Sequence, residues 1–250
     1  MADQHAIGII GATGGIGSAL AKRLAEAGHP LALAARDQGK LDALAESIPG
    51  DHMTHVLDAT QPSEIVEFGK TAADRFGGLA GLANCVGSIV IAPADRTTDE
   101  QFETTLRLNL WSAFGTVQAA AKTMRKTGGS VVLFATAAAR AGLPNHEAIA
   151  AAKGGVIGLA QSAAATYATS NIRINVVAPG LVDTPGAAGI VGSDMARKAS
   201  EAMHALGRIG TADDVAPLAA LLLSDQSGWT TGQVFGVDGG LATLKTRVKV

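Results

Sequence analysis

Chemistry first suggests itself at the turn Gly11-Ala12-Thr13-Gly14-Gly15-Ile16-Gly17. An apolar run, Ala6-Ile7-Gly8-Ile9-Ile10, precedes it, and a stretch with Ile16, Leu20 and Leu24 on one helical face follows. Glycines between a strand and a helix let backbone N–H groups approach a pyrophosphate, and the helix N-terminus adds partial positive charge. The spacing is neither the phosphate loop G-x-x-x-x-G-K-S/T nor the strict G-x-G-x-x-G. A tight, glycine-rich turn with no ligand is the other reading, but the place of this turn between the first strand and the first helix favours a nucleotide. Strand two bears on which nucleotide. Sites for NAD set an acidic residue at its end to bond the ribose 2′-hydroxyl, whereas this chain has Ala34-Ala35 and then Arg36. A guanidinium there binds a 2′-phosphate bidentately. NADP(H) is therefore favoured and NAD(H) stays open, as does a solvated Arg36 paired with Asp37. Asp58, after the third apolar run, is placed to accept from an adenine amino group or simply to cap a turn.

The elements that must position these residues alternate. Short apolar runs lie at Ala6–Ile10, Leu31–Ala34, His52–Leu57, Leu79–Asn84, Ser130–Ala135, Ile172–Val177 and Gln233–Val237. Between them are amphipathic stretches at Gly15–Gly28, Lys40–Ile48, from Pro62, at Asp99–Lys126 and at Asn145–Ser170, with two more helices before the last strand and Asn145 as the expected N-cap of the long one. Strands that read as continuous apolar runs, alternating with helices, predict a single α/β domain over residues 1–250. Its seven-stranded parallel sheet would be doubly wound, with helices on both faces, and would bind its ligand at the carboxyl ends of the strands.

Composition agrees. The 250 residues are 47% hydrophobic and carry a net charge of −2, so no basic field points to nucleic acid. One cysteine rules out an internal disulfide framework and suits a reducing cytoplasm. No apolar run approaches membrane-spanning length by this reading, and Met1-Ala2-Asp3-Gln4-His5 lacks the features of a signal peptide. His5, His29, His52, His55 and His204 show no metal-ligand spacing, so no catalytic metal is expected.

With these residues placed, the chain resembles the short-chain dehydrogenase/reductase family nearly end to end. Gly11, Gly15, Ile16 and Gly17 match its T-G-x-x-x-G-I-G turn, with Ile10 in place of Thr. Asn84-Cys85-Val86-Gly87 is similar to its N-N-A-G segment, Asn109 to its helix asparagine, and Pro179-Gly180 with Thr184 to its P-G-x-x-x-T stretch. Gly207-Arg208-Ile209-Gly210, Asp214-Val215-Ala216, Thr231-Gly232-Gln233 and Val237-Asp238-Gly239-Gly240 are similar to its C-terminal signature. The resemblance implies the Rossmann fold, a homotetramer or homodimer and a small-molecule substrate. It also implies cofactor contacts from Gly11, Thr13, Gly14, Gly15, Ile16 and Gly17, from Arg36, Asp58 and Ala59, from Asn84, Val86, Gly87 and Lys153, and from Pro179, Gly180, Val182 and Thr184.

The family's chemistry is hydride transfer between nicotinamide and a carbonyl or alcohol carbon. A Y-x-x-x-K pair supplies the proton donor and the ribose anchor, and a serine bonds the reacting oxygen. Here Lys153 stands at the lysine position, but Ile149 occupies the tyrosine position and Thr136 the serine position. Isoleucine has no titratable proton. The lone tyrosine, Tyr167, lies fourteen residues past Lys153, about four helical turns away, so packing or an interface is its expected role. His146 precedes Ile149 by three residues and Lys153 by seven, on one face if the helix reaches back that far, and is the proposed substitute proton donor, a loop histidine on the rim being the other reading and Glu147 the weaker candidate. The catalytic set is thus Asn109, Thr136, His146 and Lys153.

Residues 184–208, with Gly186, Gly189 and Gly192 and then Ser193-Asp194-Met195, read as a substrate lid over a mostly apolar pocket; Met195, Met203 and Leu206 fit either pocket or core. Cys85, just past the fourth strand, is placed near the cofactor and reads as a small buried hydrophobe rather than a nucleophile. The favoured function is an NADP(H)-dependent oxidoreductase with an atypical proton donor. A catalytically silent NADP(H)-binding sensor or subunit, and a lyase or isomerase on the same fold, are the alternatives.

Overall fold

The computed structural model describes residues 5–245, so Met1–Gln4 of the segment read against a signal peptide lie outside the described residues. Seven strands, β1 (Ala6–Ile10), β2 (Leu31–Ala35), β3 (His52–Val56), β4 (Leu79–Asn84), β5 (Gly129–Phe134), β6 (Ile172–Pro179) and β7 (Val234–Val237), form one sheet in the order β3-β2-β1-β4-β5-β6-β7. Every pairing is parallel. The order reverses direction between β1 and β4, which opens a crevice at their carboxyl ends.

Both faces are covered, because successive side chains of a strand point to opposite sides. Val131 and Leu133 of β5 and Ile172, Ile174 and Val176 of β6 face one core. That core is closed by α3 (Pro62–Phe76), α5 (Ser112–Thr123) and α6 (Glu147–Tyr167). Ile7, Ile9, Val132 and Val177 face the other, closed by α1 (Gly15–Glu26), α2 (Gln38–Glu46) and α8 (Ala212–Leu223). Register brings Ile10 beside both Ala34 and Asn84, so the residues that follow β1, β2 and β4 emerge along one edge.

Three expectations need correction. The helix expected over Asp99–Lys126 is interrupted: α4 (Asp99–Leu106) passes through a π-turn at Arg107–Trp111 before α5 begins. Periodicity does not register one inserted residue, and such bulges recur at functional sites. Asn145 does not cap α6. It takes a left-handed φ of 64°, His146 occupies the cap position without a side-chain cap bond, and the helix proper begins at Glu147. Finally, one helical run, Glu147–Ser170, is long and apolar enough by composition to cross a membrane. In the fold it is a core helix: Ala148, Ala152, Val156, Ala160 and Ala163 are buried against the sheet and its flanking helices. The remaining helix, α7 (Asp194–Met203), lies in the 184–208 segment.

The nucleotide-type turn depends on one close approach. Gly11 has φ +78°, and a Cβ on Gly17 would press into the Gly11 carbonyl and come within 3.0 Å of Ala12 Cα. Gly-to-Ala inside a helix ordinarily stabilises by up to about 1 kcal/mol. Gly17→Ala is expected to do the reverse and lower unfolding free energy by about 2 kcal/mol, as overpacking does; urea melts check this, and an unchanged midpoint would show that the turn can yield.

Candidate active site

The turn after β1 feeds directly into α1. Its cap residue, Gly14, offers no side-chain hydrogen bond, and the first turn contains no acidic side chain. The leading N–H groups of a helix have no partner within it, and here nothing else in the first turn neutralises them. Gly14, Gly15 and Ile16 line a cleft of about 360 Å³. This uncapped, glycine-walled helix start fits an anionic pyrophosphate. Gly11 and Gly17 support the turn from behind, and Thr13 is half-buried within it.

Arg36 is exposed immediately past β2, and its guanidinium forms no ion pair or hydrogen bond among the described residues. The expected alternative pairing with Asp37 does not occur. Asp37 caps α2 instead, accepting from the Lys40 backbone at 3.0 Å, with the Lys40 ammonium 4.0 Å away. Asp58 Oδ1 accepts from the Thr60 backbone at 2.9 Å, which is the turn-forming role, while Ala59 is buried in the core. Arg36, Asp58 and Ala59 follow neighbouring strands but do not line the cleft that starts at Gly14.

The cleft continues past β4. Buried Asn84 donates to Ser112 Oγ at 3.1 Å and accepts from the Val86 backbone at 3.0 Å, which braces Cys85-Val86-Gly87. Asn109, in the π-turn, donates to the Thr105 carbonyl at 2.9 Å and to Ser88 Oγ at 3.1 Å. A Cβ on Gly87 would lie 3.0 Å from Asn109 Oδ1 and 3.5 Å from Lys153 Nζ, so only bare backbone separates those two polar groups. Lys153 is buried and donates to the Phe134 carbonyl at 2.8 Å. Burial lowers its pKa to about 8, opposed by the nearby Cys85. Burial also pushes the Cys85 thiol up to about 12, so it stays protonated at neutral pH. Cys85 lines the cleft and packs against the second core, as a small hydrophobe beside the expected cofactor position would.

Thr136, Ile149 and His146 share the same cleft. Thr136 Oγ1 accepts from the Ala138 backbone at 3.3 Å, so it is at once a cap and a wall of the site. Ile149 is almost fully buried, one helical turn before Lys153. His146 Nδ1 lies 2.7 Å from the Pro144 carbonyl oxygen. Glu147 is exposed and absent from the lining. Tyr167 lies at the far end of α6, where the Arg125 guanidinium sits 5.9 Å from its ring centre.

Pro179, Gly180, Val182 and Thr184 close the opposite wall, together with Ile190 and Met203. Thr184 packs on Gly15: a Cβ there would come within 2.7 Å of Thr184 Cβ. Met195 is 81% exposed and Leu206 72%, and neither lines this cleft. His204 does line it, although its spacing in sequence had given it no role. It is buried, with Nε2 accepting from the Leu181 backbone at 3.1 Å and Nδ1 donating to the Ser200 carbonyl at 2.7 Å. It thereby ties α7 to the segment after β6 across 23 residues of sequence, a distance at which no local pattern could signal it. No three metal-ligating side chains converge among the described residues.

A family model described as enoyl-(acyl carrier protein) reductase matches residues 11–242. The chain is 33% identical to the 3-oxoacyl-(acyl-carrier-protein) reductase FabG of Thermotoga maritima, over 93% of this chain and 96% of that protein. It superimposes on a short-chain type dehydrogenase/reductase from Mycobacterium ulcerans with a TM-score of 0.90 and 30% identity, covering 95% and 90% of the two chains. The chain belongs to the short-chain dehydrogenase/reductase family. Levodione reductase is similar to it with the same TM-score, at 29% identity, covering 97% of this chain and 99% of that one. The 2-(S)-hydroxypropyl-CoM dehydrogenase 3 of Xanthobacter autotrophicus is 30% identical over 96% of this chain and 98% of that protein. This short-chain dehydrogenase/reductase is thus an oxidoreductase of a family that uses NAD(P)(H), acts on small molecules and is commonly oligomeric.

The buried lysine of this family member leaves a signature in stability. Its folded pKa lies near 8 and its ordinary value is 10.5. Between those values the unfolded chain holds more protons, so stability rises with pH across that window. The unfolding free energy of wild type minus that of Lys153→Met should therefore grow by about 3 kcal/mol from roughly pH 8 to pH 10.5. Urea melts across that range measure it, and a flat difference would contradict the burial argument.

Proposed function

We propose that this short-chain dehydrogenase/reductase is an NADP(H)-dependent oxidoreductase acting on a carbonyl or alcohol carbon of a mostly apolar small molecule, and that His146 handles the proton in place of a tyrosine. The observation that carries this reading is that His146, Thr136 and Lys153 line one cleft around the buried Ile149. The remaining walls include Ile89, Ile91, Leu143, Ile190 and Leu241, with no carboxylate among the lining residues, which favours an apolar, uncharged substrate.

The dinucleotide supplies or accepts the hydride. In this reading Gly11, Thr13, Gly14, Gly15, Ile16 and Gly17 hold its pyrophosphate at the start of α1. Arg36, with no partner among the described residues, takes the 2′-phosphate, and Asp58 and Ala59 flank the adenine. Asn84, Val86 and Gly87, then Pro179, Gly180, Val182 and Thr184, border the nicotinamide half. Lys153 anchors the ribose beside Asn109, and Thr136 Oγ1 bonds the reacting oxygen. The segment 184–208 covers the substrate. A cytoplasmic homotetramer or homodimer completes the proposal, the lone cysteine suiting a reducing compartment.

Arg36→Ala is expected to weaken NADPH binding about tenfold to a hundredfold, the scale of a lost charge-assisted contact, and to leave NADH binding nearly unchanged. Equal wild-type affinities for the two cofactors would refute the preference.

The proton assignment is tested with simple apolar ketones and alcohols. His146→Gln should lower kcat about a hundredfold, the general acid–base range, without changing the Kd for NADPH, and adding Ile149→Tyr in that background should recover activity. Tight NADPH binding with no turnover by wild type on any such substrate would favour a silent binder instead.

A further inference from the structure

The three residues that lead into α6 fix which nitrogen of His146 carries the hydrogen. Asn145 turns the chain with a left-handed φ of 64°, and the Pro144 carbonyl oxygen is thereby brought 2.7 Å from His146 Nδ1. A carbonyl oxygen only accepts, so the hydrogen between them belongs to Nδ1. In a neutral imidazole the other nitrogen then holds a bare lone pair. An unconstrained histidine side chain prefers the opposite tautomer, with hydrogen on Nε2, so the turn imposes the choice. With the Nδ1 edge of the ring taken by Pro144, Nε2 is the nitrogen left to serve the cleft that His146 lines.

We infer that the Pro144–His146 turn presets His146 as a proton acceptor, so that the resting enzyme is poised to oxidise an apolar primary or secondary alcohol held at Thr136, and carbonyl reduction first requires His146 to be charged. This rests on the proposed role of His146 and deepens it. In the oxidative direction the alcohol O–H bond breaks and its proton passes to Nε2. The carbinol C–H bond breaks and its hydride passes to the oxidised nicotinamide dinucleotide, while the C–O bond becomes a carbonyl. The alcohol loses two electrons and the dinucleotide gains them.

The titratable side chains that share the cleft are Lys153, Cys85 and His204, and no carboxylate lines it to pair with an imidazolium. Lys153 contributes positive charge, and Cys85 stays a thiol. His204 is committed to Leu181 and Ser200, and the adjoining Glu147 is exposed. Asn145 and Pro144 are positioning residues here, acting only through the ring they orient.

The first measurement is a long-range proton–nitrogen correlation spectrum of the full chain without ligand, with the His146 signals assigned by their absence in His146→Gln. Above the pH at which His146 loses its charge, Nδ1 should be protonated and Nε2 bare, and Pro144→Gly, which loosens the turn, should shift the ring toward the Nε2–H form. The second measurement follows both directions of turnover against pH. Alcohol oxidation should rise and carbonyl reduction fall through the His146 titration seen in the spectrum, and both limbs should vanish in His146→Gln. A ring protonated on Nε2, or matching pH profiles for the two directions, overturns the inference while leaving an oxidoreductase. An Nδ1–H ring in a chain that binds NADPH but turns over no alcohol or ketone supports the tautomer assignment and overturns the functional reading beneath it.

Discussion

The cleft is organised around a buried ammonium. Lys153 Nζ reaches the Phe134 carbonyl at 2.8 Å from within a largely apolar wall, and that bond joins the start of α6 to the end of β5 across 19 residues of sequence. A lysine removed from water loses affinity for its proton unless polar atoms meet it, and here the Phe134 carbonyl meets it while burial still holds its pKa near 8. A Cβ at Gly87 would crowd Asn109 Oδ1 at 3.0 Å and come into contact with Lys153 Nζ at 3.5 Å. Asn109 in turn reaches that point because the π-turn at Arg107–Trp111 interrupts the helix and Thr105 and Ser88 hold its amide. The middle of the site is thus a chain of mutual constraints between β4, β5, the π-turn and α6.

Ile149 changes what such a site can do. One turn before Lys153, a buried apolar branched side chain stands where the family pattern sets a phenol, and isoleucine has no titratable proton. The groups that remain lie at the rim and on the facing strand: His146 on the turn into the helix and Thr136 past β5. The proposed chemistry follows from this relocation. A phenol at that point would be both acid and base, whereas an imidazole held by a carbonyl on one edge has an acceptor on the other.

The far half of the cleft depends on a different histidine. His204 has both ring nitrogens engaged, one by the Leu181 backbone and one by the Ser200 carbonyl, so it serves as a strut between α7 and the segment after β6. Gly180 makes room for it, since a Cβ there would lie 2.6 Å from His204 Nε2. The 184–208 segment is therefore tied down at α7 by a buried hydrogen-bonded ring and rests at Thr184 against the glycine turn.

Much of this was legible in the chain itself. Strand–helix alternation, the glycine turn and the order of spaced motifs are short-range patterns set by side-chain volume, period and backbone freedom, and they determined the seven-stranded parallel sheet and the family. The same local reading placed Ile149 four residues before Lys153, where the family pattern has its tyrosine. Tertiary structure decided the rest. Arg36 has no partner among the described residues, since Asp37 is committed to capping α2. Asn145 fails as a cap because the chain turns left-handed there, and a π-turn at Arg107–Trp111 interrupts the helix expected over Asp99–Lys126 where Asn109 bonds Ser88. The roles of His204 and Lys153 depend on carbonyl and amide groups 19 to 23 residues away in sequence. Hydrogen bonds between such distant groups exist only once the packed sheet has brought them within 3 Å or so, a distance that no periodicity in a single sequence encodes.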